Sequence, residues 1–283
     1  MIVASKKEKL GYYLFILPAL IVFSVFIFGP MLYSFILSLY KYNLMTIGSA
    51  EFTGLDNFIS LFRNPVFFQA LRNTAVYTLV TVPVLLALGL CIALQINSAG
   101  PKAGNVYKVC YYIPYVSSMV AVSIVFSLLF NASTSGIMNQ ILVMLKMQPV
   151  GWLSDSRLAL PVIILLSVWK SVGYVMIIYL GGLLAIPAEI YEVVSLDPIS
   201  HWKKLIYITL PLLRPTTMFL TVTQIIGSFQ VFTPVQVLTD GGPGYATTTL
   251  VTLLYQKGFK DYKMGLASAI AIILFVILLI LSI

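Results

Sequence analysis

The chain has 283 residues, of which 60% are hydrophobic and only 9% are charged, with a net charge of +8. An ordinary soluble domain carries about 25% charged residues, and a chain of this size has too little polar surface to cover so much apolar mass in water. A soluble globular enzyme, a disordered chain and a coiled coil are therefore excluded. The basic residues are scattered between long uncharged runs, which points to membrane orientation and away from nucleic acid.

A hydrocarbon core of about 30 Å needs about 20 mostly apolar residues per helix, so the gaps between charges mark the spans. The first, 12–39, follows Lys6, Lys7 and Lys9. It is much longer than a signal-peptide core of about 7–15 residues and passes Gly29 and Pro30 without a small-residue cleavage site, so it reads as an uncleaved first helix. The second is 73–96. The third, 109–130, ends at a polar cluster over 131–136, and the fourth, 158–185, is interrupted only by Lys170. The fifth is 215–238 and the sixth 264–283. Pro18, Pro30 and Pro83 predict kinks or irregular ends. The expected fold is an all-α membrane protein of six transmembrane helices in one domain, 1–283, without internal repeats. An even number of spans puts both termini on one side, and the three lysines before the first span make that side cytoplasmic. Cys91 and Cys110 stand in or beside apolar runs with no CxxC, and are expected as buried small hydrophobes.

The segment between spans four and five is not an ordinary polar loop. Pro187 suits a first helical turn, and Ile190, Val193 and Val194 then share a face at i, i+3, i+4. Asp197 followed by Pro198 suits the cap and first turn of a second short helix. Two short helices with an apolar face must bury it against another protein, the bundle or the headgroup zone. Trp202 suits an interfacial anchor or simple packing, and His201, the only histidine, has no ligand-like neighbours.

Here the residues carry a family resemblance. Glu192-Val193-Val194, three residues, Pro198, nine residues, then Ile208-Thr209-Leu210-Pro211 resembles the EAA loop of ABC importer permeases, whose pattern is E-A-A, three residues, G, nine residues, I-x-L-P. Valine replaces both alanines and Pro198 replaces the glycine; proline fixes φ near −65°, so the turn must differ from the family's. Tyr13-Leu14-Phe15-Ile16-Leu17-Pro18-Ala19, Gly54-Leu55-Asp56-Asn57-Phe58, and Gly227-Ser228-Phe229-Gln230-Val231-Phe232 through Asp240-Gly241-Gly242-Pro243-Gly244 resemble the carbohydrate branch (the maltose and multiple-sugar type) in order.

The resemblance implies the type I importer permease (MetI-like) fold in the plasma (inner) membrane of a prokaryote. It also implies pairing with a second permease, two ATP-binding subunits below, and an extracytoplasmic solute-binding protein delivering a sugar. The EAA element, 187–211, would sit in a groove of the ATPase. Glu192 would contact it, Ile190, Val193, Val194 and Leu196 would give the apolar contact, and Asp197 and Pro198 would form the turn. No G-x-x-x-x-G-K-[S/T] occurs, and no acid–base pair or metal cluster stands out, so the chain is read as no enzyme; ATP and magnesium belong to the partner subunits.

Polar groups inside spans are costly and face a cavity or a partner. Ser167, Lys170, Ser171 and Tyr174 fall on one face of span four; in span five Gln224, Ser228 and Val231 share a stripe, with Gly227 leaving room. The resemblance marks Ser167, Lys170, Ser171, Tyr174, Gln224, Gly227 and Ser228 as solute contacts. Hydroxyls and amides suit a neutral polyol, and Tyr174 a sugar face. Lys170 would meet water, a carbonyl or an anion. The same polar groups could instead only join helices. The other reading is a stand-alone secondary transporter or channel, but no acidic residue lies within a span and no repeat appears.

Overall fold

The computed structural model describes residues 6–45, 50–195 and 199–282. They fall into two compact units, one drawn from 1–64 and 254–276 and the other from 65–253 and 277–283.

In the first unit, α1 (Lys6–Phe23) runs through a five-residue π-helical stretch, Ser24–Phe28, into α2 (Gly29–Leu37). The wide turn falls just before Pro30, which lacks an N–H and would press its ring on the preceding turn. Every side chain from Leu14 to Tyr33 is exposed, so no described residue gives this stretch apolar cover. A two-residue antiparallel ribbon, β1 (Tyr40–Lys41) with β2 (Glu51–Phe52), pairs Tyr40 with Phe52 and leads into α3 (Asp56–Phe62). The Asn57 amide donates to the carbonyls of Ser38 and Tyr40, at 2.8 and 2.9 Å, holding that crossing closed.

The second unit is organised by two long helices, α4 (Pro65–Ser98) and α8 (Ala159–Leu184). Between them come α5 (Pro101–Val116), α6 (Met119–Leu129) and α7 (Ile137–Met144). After α8 follow α9 (Ala188–Ser195), α10 (His201–Lys204), a second π-helical stretch, Leu205–Thr209, α11 (Leu210–Leu212) and α12 (Arg214–Phe229). This π stretch also precedes a proline, Pro211. The order closes with α13 (Thr233–Leu238), α14 (Leu250–Tyr255) and α15 (Met264–Ser282), the last beginning in the first unit.

Leu85, Ala93 and Ile96 of α4 pack with Val172, Val175, Met176 and Tyr179 of α8 and Leu220 of α12. Lipid tails are as apolar as these side chains, so van der Waals fit and close backbone approach must hold the pair, not escape from water. Gly89 provides that approach: a Cβ there would strike Val175.

Five helices are long and apolar enough to cross a membrane unbroken. The third span, expected as one helix over 109–130, is instead α5 and α6 joined at a 92° bend. Ser117 and Ser118 there are extended, with ψ of 151° and 129°. The helix of 73–96 extends back to Pro65, because Arg72 interrupts the charge gap but not the helix. The fifth, Arg214–Leu238, stays one span although residues 230–232 between α12 and α13 are not helical. Both cysteines, expected to be buried, are exposed. An apolar residue in a spanning helix is satisfied by lipid, so its polarity does not predict protein cover.

Candidate functional site

Five helices of the second unit border a hollow of about 290 Å³, near the lower end of ligand sites at roughly 300 Å³. Ser167 and Ser171 enter from α8, and Gln224, Gly227 and Ser228 from α12. A Cβ on Gly227 would meet open space, so the glycine leaves that wall clear. Tyr77, Thr81 and Leu85 of α4, Met119 of α6, the 230–232 link, and Thr233 and Pro234 at the start of α13 complete the lining. The Ser167 hydroxyl donates to the Ile163 carbonyl at 2.8 Å, leaving its lone pairs for another donor. Thr81 is 2% exposed and its hydroxyl makes no hydrogen bond of good geometry among the described residues.

Five of the seven expected solute contacts therefore converge, and two do not. Lys170 and Tyr174 lie toward α5. The Lys170 ammonium donates to the Tyr115 carbonyl at 2.7 Å and sits 5.4 Å from the Tyr115 ring centroid; that ring stacks on Tyr174 at 5.0 Å. At 100° per residue, positions 167 and 171 occupy one edge of the polar stripe and 170 and 174 the other. A stripe about 100° wide reads as one face in sequence, yet its edges meet different neighbours. A lysine deep in a span costs about 2.5–3.5 kcal/mol unless it is partnered. Here a backbone carbonyl at a helix end offsets that cost, one of the partners its position allowed.

The sequence reading missed Tyr77, Thr81 and Met119. The signal was present for α4: Thr74, Tyr77, Thr78 and Thr81 form a hydroxyl stripe at helical spacing inside an apolar run.

At the C-terminal end of α8 the elbow is described except for 196–198, so Leu196, Asp197 and Pro198 lie outside the described residues. On α9, Ile190 and Val194 are half-buried, Glu192 is exposed and Val193 is 66% exposed. The expected apolar face is thus divided, with Val193 turned outward. Tyr191 and Thr209 hydroxyls meet at 3.2 Å, and the Lys204 ammonium lies 4.6 Å over the Tyr191 ring, bracing α9 against the segment that enters α12. The second short helix starts at His201, capped by Ser200, whose Oγ accepts from the Lys203 N–H at 3.4 Å. A start at 197–198 was expected; Ser200 is an equally good cap closer to the helix. Trp202 is 74% exposed beside a second hollow of about 450 Å³.

Residues 85–283 match the family of binding-protein-dependent transport system inner membrane components. The chain belongs to this family. It is the permease of an ABC importer, a multi-pass inner membrane protein with the type I importer fold. It is 35% identical over 269 residues to the lactose transport system permease protein LacF of Rhizobium radiobacter, covering 92% of this chain and 89% of that one. It is 34% identical over 277 residues to the arabinooligosaccharides transport system permease protein AraP of Bacillus subtilis, covering 98% and 87%. Among solved structures it is similar to a chain of a bacterial ABC transporter importing the acidic polysaccharide alginate, with a TM-score of 0.85 and 25% identity over 98% of this permease and 93% of that chain. It is similar at the same TM-score of 0.85 and 25% identity to a chain of a bacterial alginate ABC transporter in complex with an alginate pentasaccharide-bound periplasmic protein.

Proposed function

We propose that this permease admits sugars or oligosaccharides delivered by an extracytoplasmic solute-binding protein, and passes them through the cavity between α4, α6, α8 and α12. A second permease forms the other half of the path. Two ATP-binding subunits, which carry the ATP and magnesium, grip the elbow through Val193, Glu192 and the adjoining turn. Both termini are cytoplasmic.

The observation that carries this reading is the convergence of Ser167, Ser171, Gln224 and Ser228 on one cavity. Their hydroxyls and amide can replace the water that a neutral polyol sheds on entering a membrane. The relatives support the cargo class, since LacF is named for lactose transport and AraP for arabinooligosaccharides. The alginate transporter supports delivery by a binding protein.

The test is reconstitution of this chain with its ATP-binding subunits and second permease. Uptake of labelled di- and oligosaccharides should require ATP and the binding protein. Gln224→Ala should raise the half-saturation concentration about tenfold, the effect of one buried hydrogen bond, while the complex still assembles. Ion-driven uptake by this chain without an ATPase would favour the stand-alone transporter instead.

A further inference from the structure

We propose that Lys170 is a positioning residue of the transport path: its ammonium caps the broken end of α5 and so fixes where α6 begins on the cavity wall. The inference rests on the permease reading for its consequences, but the geometry it predicts can be measured without transport.

Helix α5 stops at Val116, and Ser117 and Ser118 are extended before α6 starts at Met119. A helix end leaves its last carbonyls without intrahelical donors, and inside a membrane no bulk water supplies them. Ser117 covers two of these, its N–H reaching the Pro114 carbonyl at 3.3 Å and its hydroxyl the Ile113 carbonyl at 3.1 Å. The Tyr115 carbonyl receives the Lys170 ammonium at 2.7 Å. A cation at a helix C-terminus also meets the negative end of the macrodipole. Two further contacts fix the same pair of helices. Gly173 lies so close to the Tyr111 carbonyl that a Cβ would collide with it, and Tyr174 stacks on Tyr115.

The bend matters because its far side is the site. Met119, the first residue of α6, lines the cavity with Ser167 and Ser171, the opposite edge of the stripe that holds Lys170. Lys170 therefore acts on the solute through the placement of α6. One donor of its ammonium is engaged with a backbone carbonyl, and the residue takes this structural role in place of direct contact with an acidic sugar.

The experiment places paramagnetic labels on the exposed flanks of α5 and α6, through Val106→Cys and Leu128→Cys in a full chain carrying Cys91→Ser and Cys110→Ser. Lys170→Met should broaden or shift the inter-label distance distribution, and Lys170→Arg, which keeps a cationic donor, should preserve it. In the assembled importer, Lys170→Met should lower maximal uptake of neutral and acidic oligosaccharides by the same factor, roughly tenfold, the scale of effect of an orphaned buried carbonyl. The half-saturation concentration should not move, and Lys170→Arg should restore uptake. Unchanged distances in Lys170→Met would overturn the proposal. So would a selective loss of acidic cargo with unchanged geometry, which would make Lys170 an anion ligand. If Lys170→Met fails to accumulate, Lys170→Arg decides alone: a distance distribution unlike the parent's would overturn it. Absence of any transport would count against the permease reading and leave the distance measurement standing.

Discussion

The two ends of α8 are built on opposite plans. The loop that precedes it closes on a single buried amide. Asn139 Oδ1 accepts from the Val150 N–H at 3.0 Å and the Trp152 indole at 2.9 Å, and its Nδ2 reaches the Ala132 and Val150 carbonyls, each at 3.0 Å. The neighbouring 240–249 turn is bound in the same manner. Asn73 donates to the carbonyls of Tyr245 and Thr248, both at 2.9 Å, and the Leu250 N–H donates to the Thr74 hydroxyl at 3.0 Å. The elbow after α8 turns Val193, Trp202, Ile206 and Tyr207 outward. The segment before α8 also leaves Met144, Leu145 and Met147 exposed, so the two ends differ in internal closure by a buried amide and not in apolar exposure. The lesson is that exposed apolar surface in a membrane protein does not by itself mark a docking element, whereas closure on a buried amide marks a segment that holds its own shape.

The largest effect should come from spoiling the elbow. Val193→Arg puts a bulky cation where the importer reading needs an apolar contact, and central contacts in an interface commonly carry 2 kcal/mol or more. ATP-driven accumulation should fall by about 30-fold or more, with unchanged chain level in the membrane and an unchanged melting temperature of the purified permease. Intact accumulation would remove the elbow from the coupling path. The self-closed end should respond in the other way. Asn139→Ala strands the Val150 N–H and the Trp152 indole, at about 1–3 kcal/mol for each group left unpaired. The permease should lose about 3 kcal/mol, read as a lower melting temperature in detergent, with the residual folded protein transporting normally. Equal melting of the Asn139→Ala and parent proteins would erase the contrast between the two ends.

Legibility followed the physics of each level. Spans were readable because lipid tolerates few charges, and an uncharged run of about 20 residues seldom arises outside a bilayer. The break in the third crossing was not, since both halves are apolar and Pro114 stands within the ordinary tolerance of membrane helices for proline. Cys91 and Cys110 show the same blindness: hydropathy marks a residue as compatible with lipid and says nothing of which neighbour it faces. At the site, Ser167, Ser171, Gln224, Gly227 and Ser228 were legible because polar or small positions in a span are unusual. Lys170 and Tyr174 were placed with them by helical spacing and by the family resemblance, and only tertiary contacts turn them toward α5. Thr81 was passed over because threonine in a helix usually bonds its own preceding turn, as Thr74 does to the Ala70 carbonyl at 2.8 Å.

Thr81 carries the smallest and most discriminating effect. Its hydroxyl and that of Thr78 are both buried and make no hydrogen bond of good geometry, although the Tyr77 phenol lies near that of Thr81, and of the two only Thr81 lines the cavity. Valine matches the shape of threonine and removes the hydroxyl. Because no internal hydrogen bond is lost, either substitution should leave stability unchanged or raise it by up to about 1 kcal/mol. Transport should separate the pair. Thr78→Val should leave the half-saturation concentration where it is, whereas Thr81→Val should raise it about threefold, the effect of one modest hydrogen bond of about 0.6 kcal/mol to solute or to water accompanying it. The measurement is a concentration series of uptake for both variants beside melting curves for the same preparations. Parallel transport in the two would mean that the hydroxyl of Thr81 serves only the bundle, and that the α4 wall of the cavity contributes shape without chemistry.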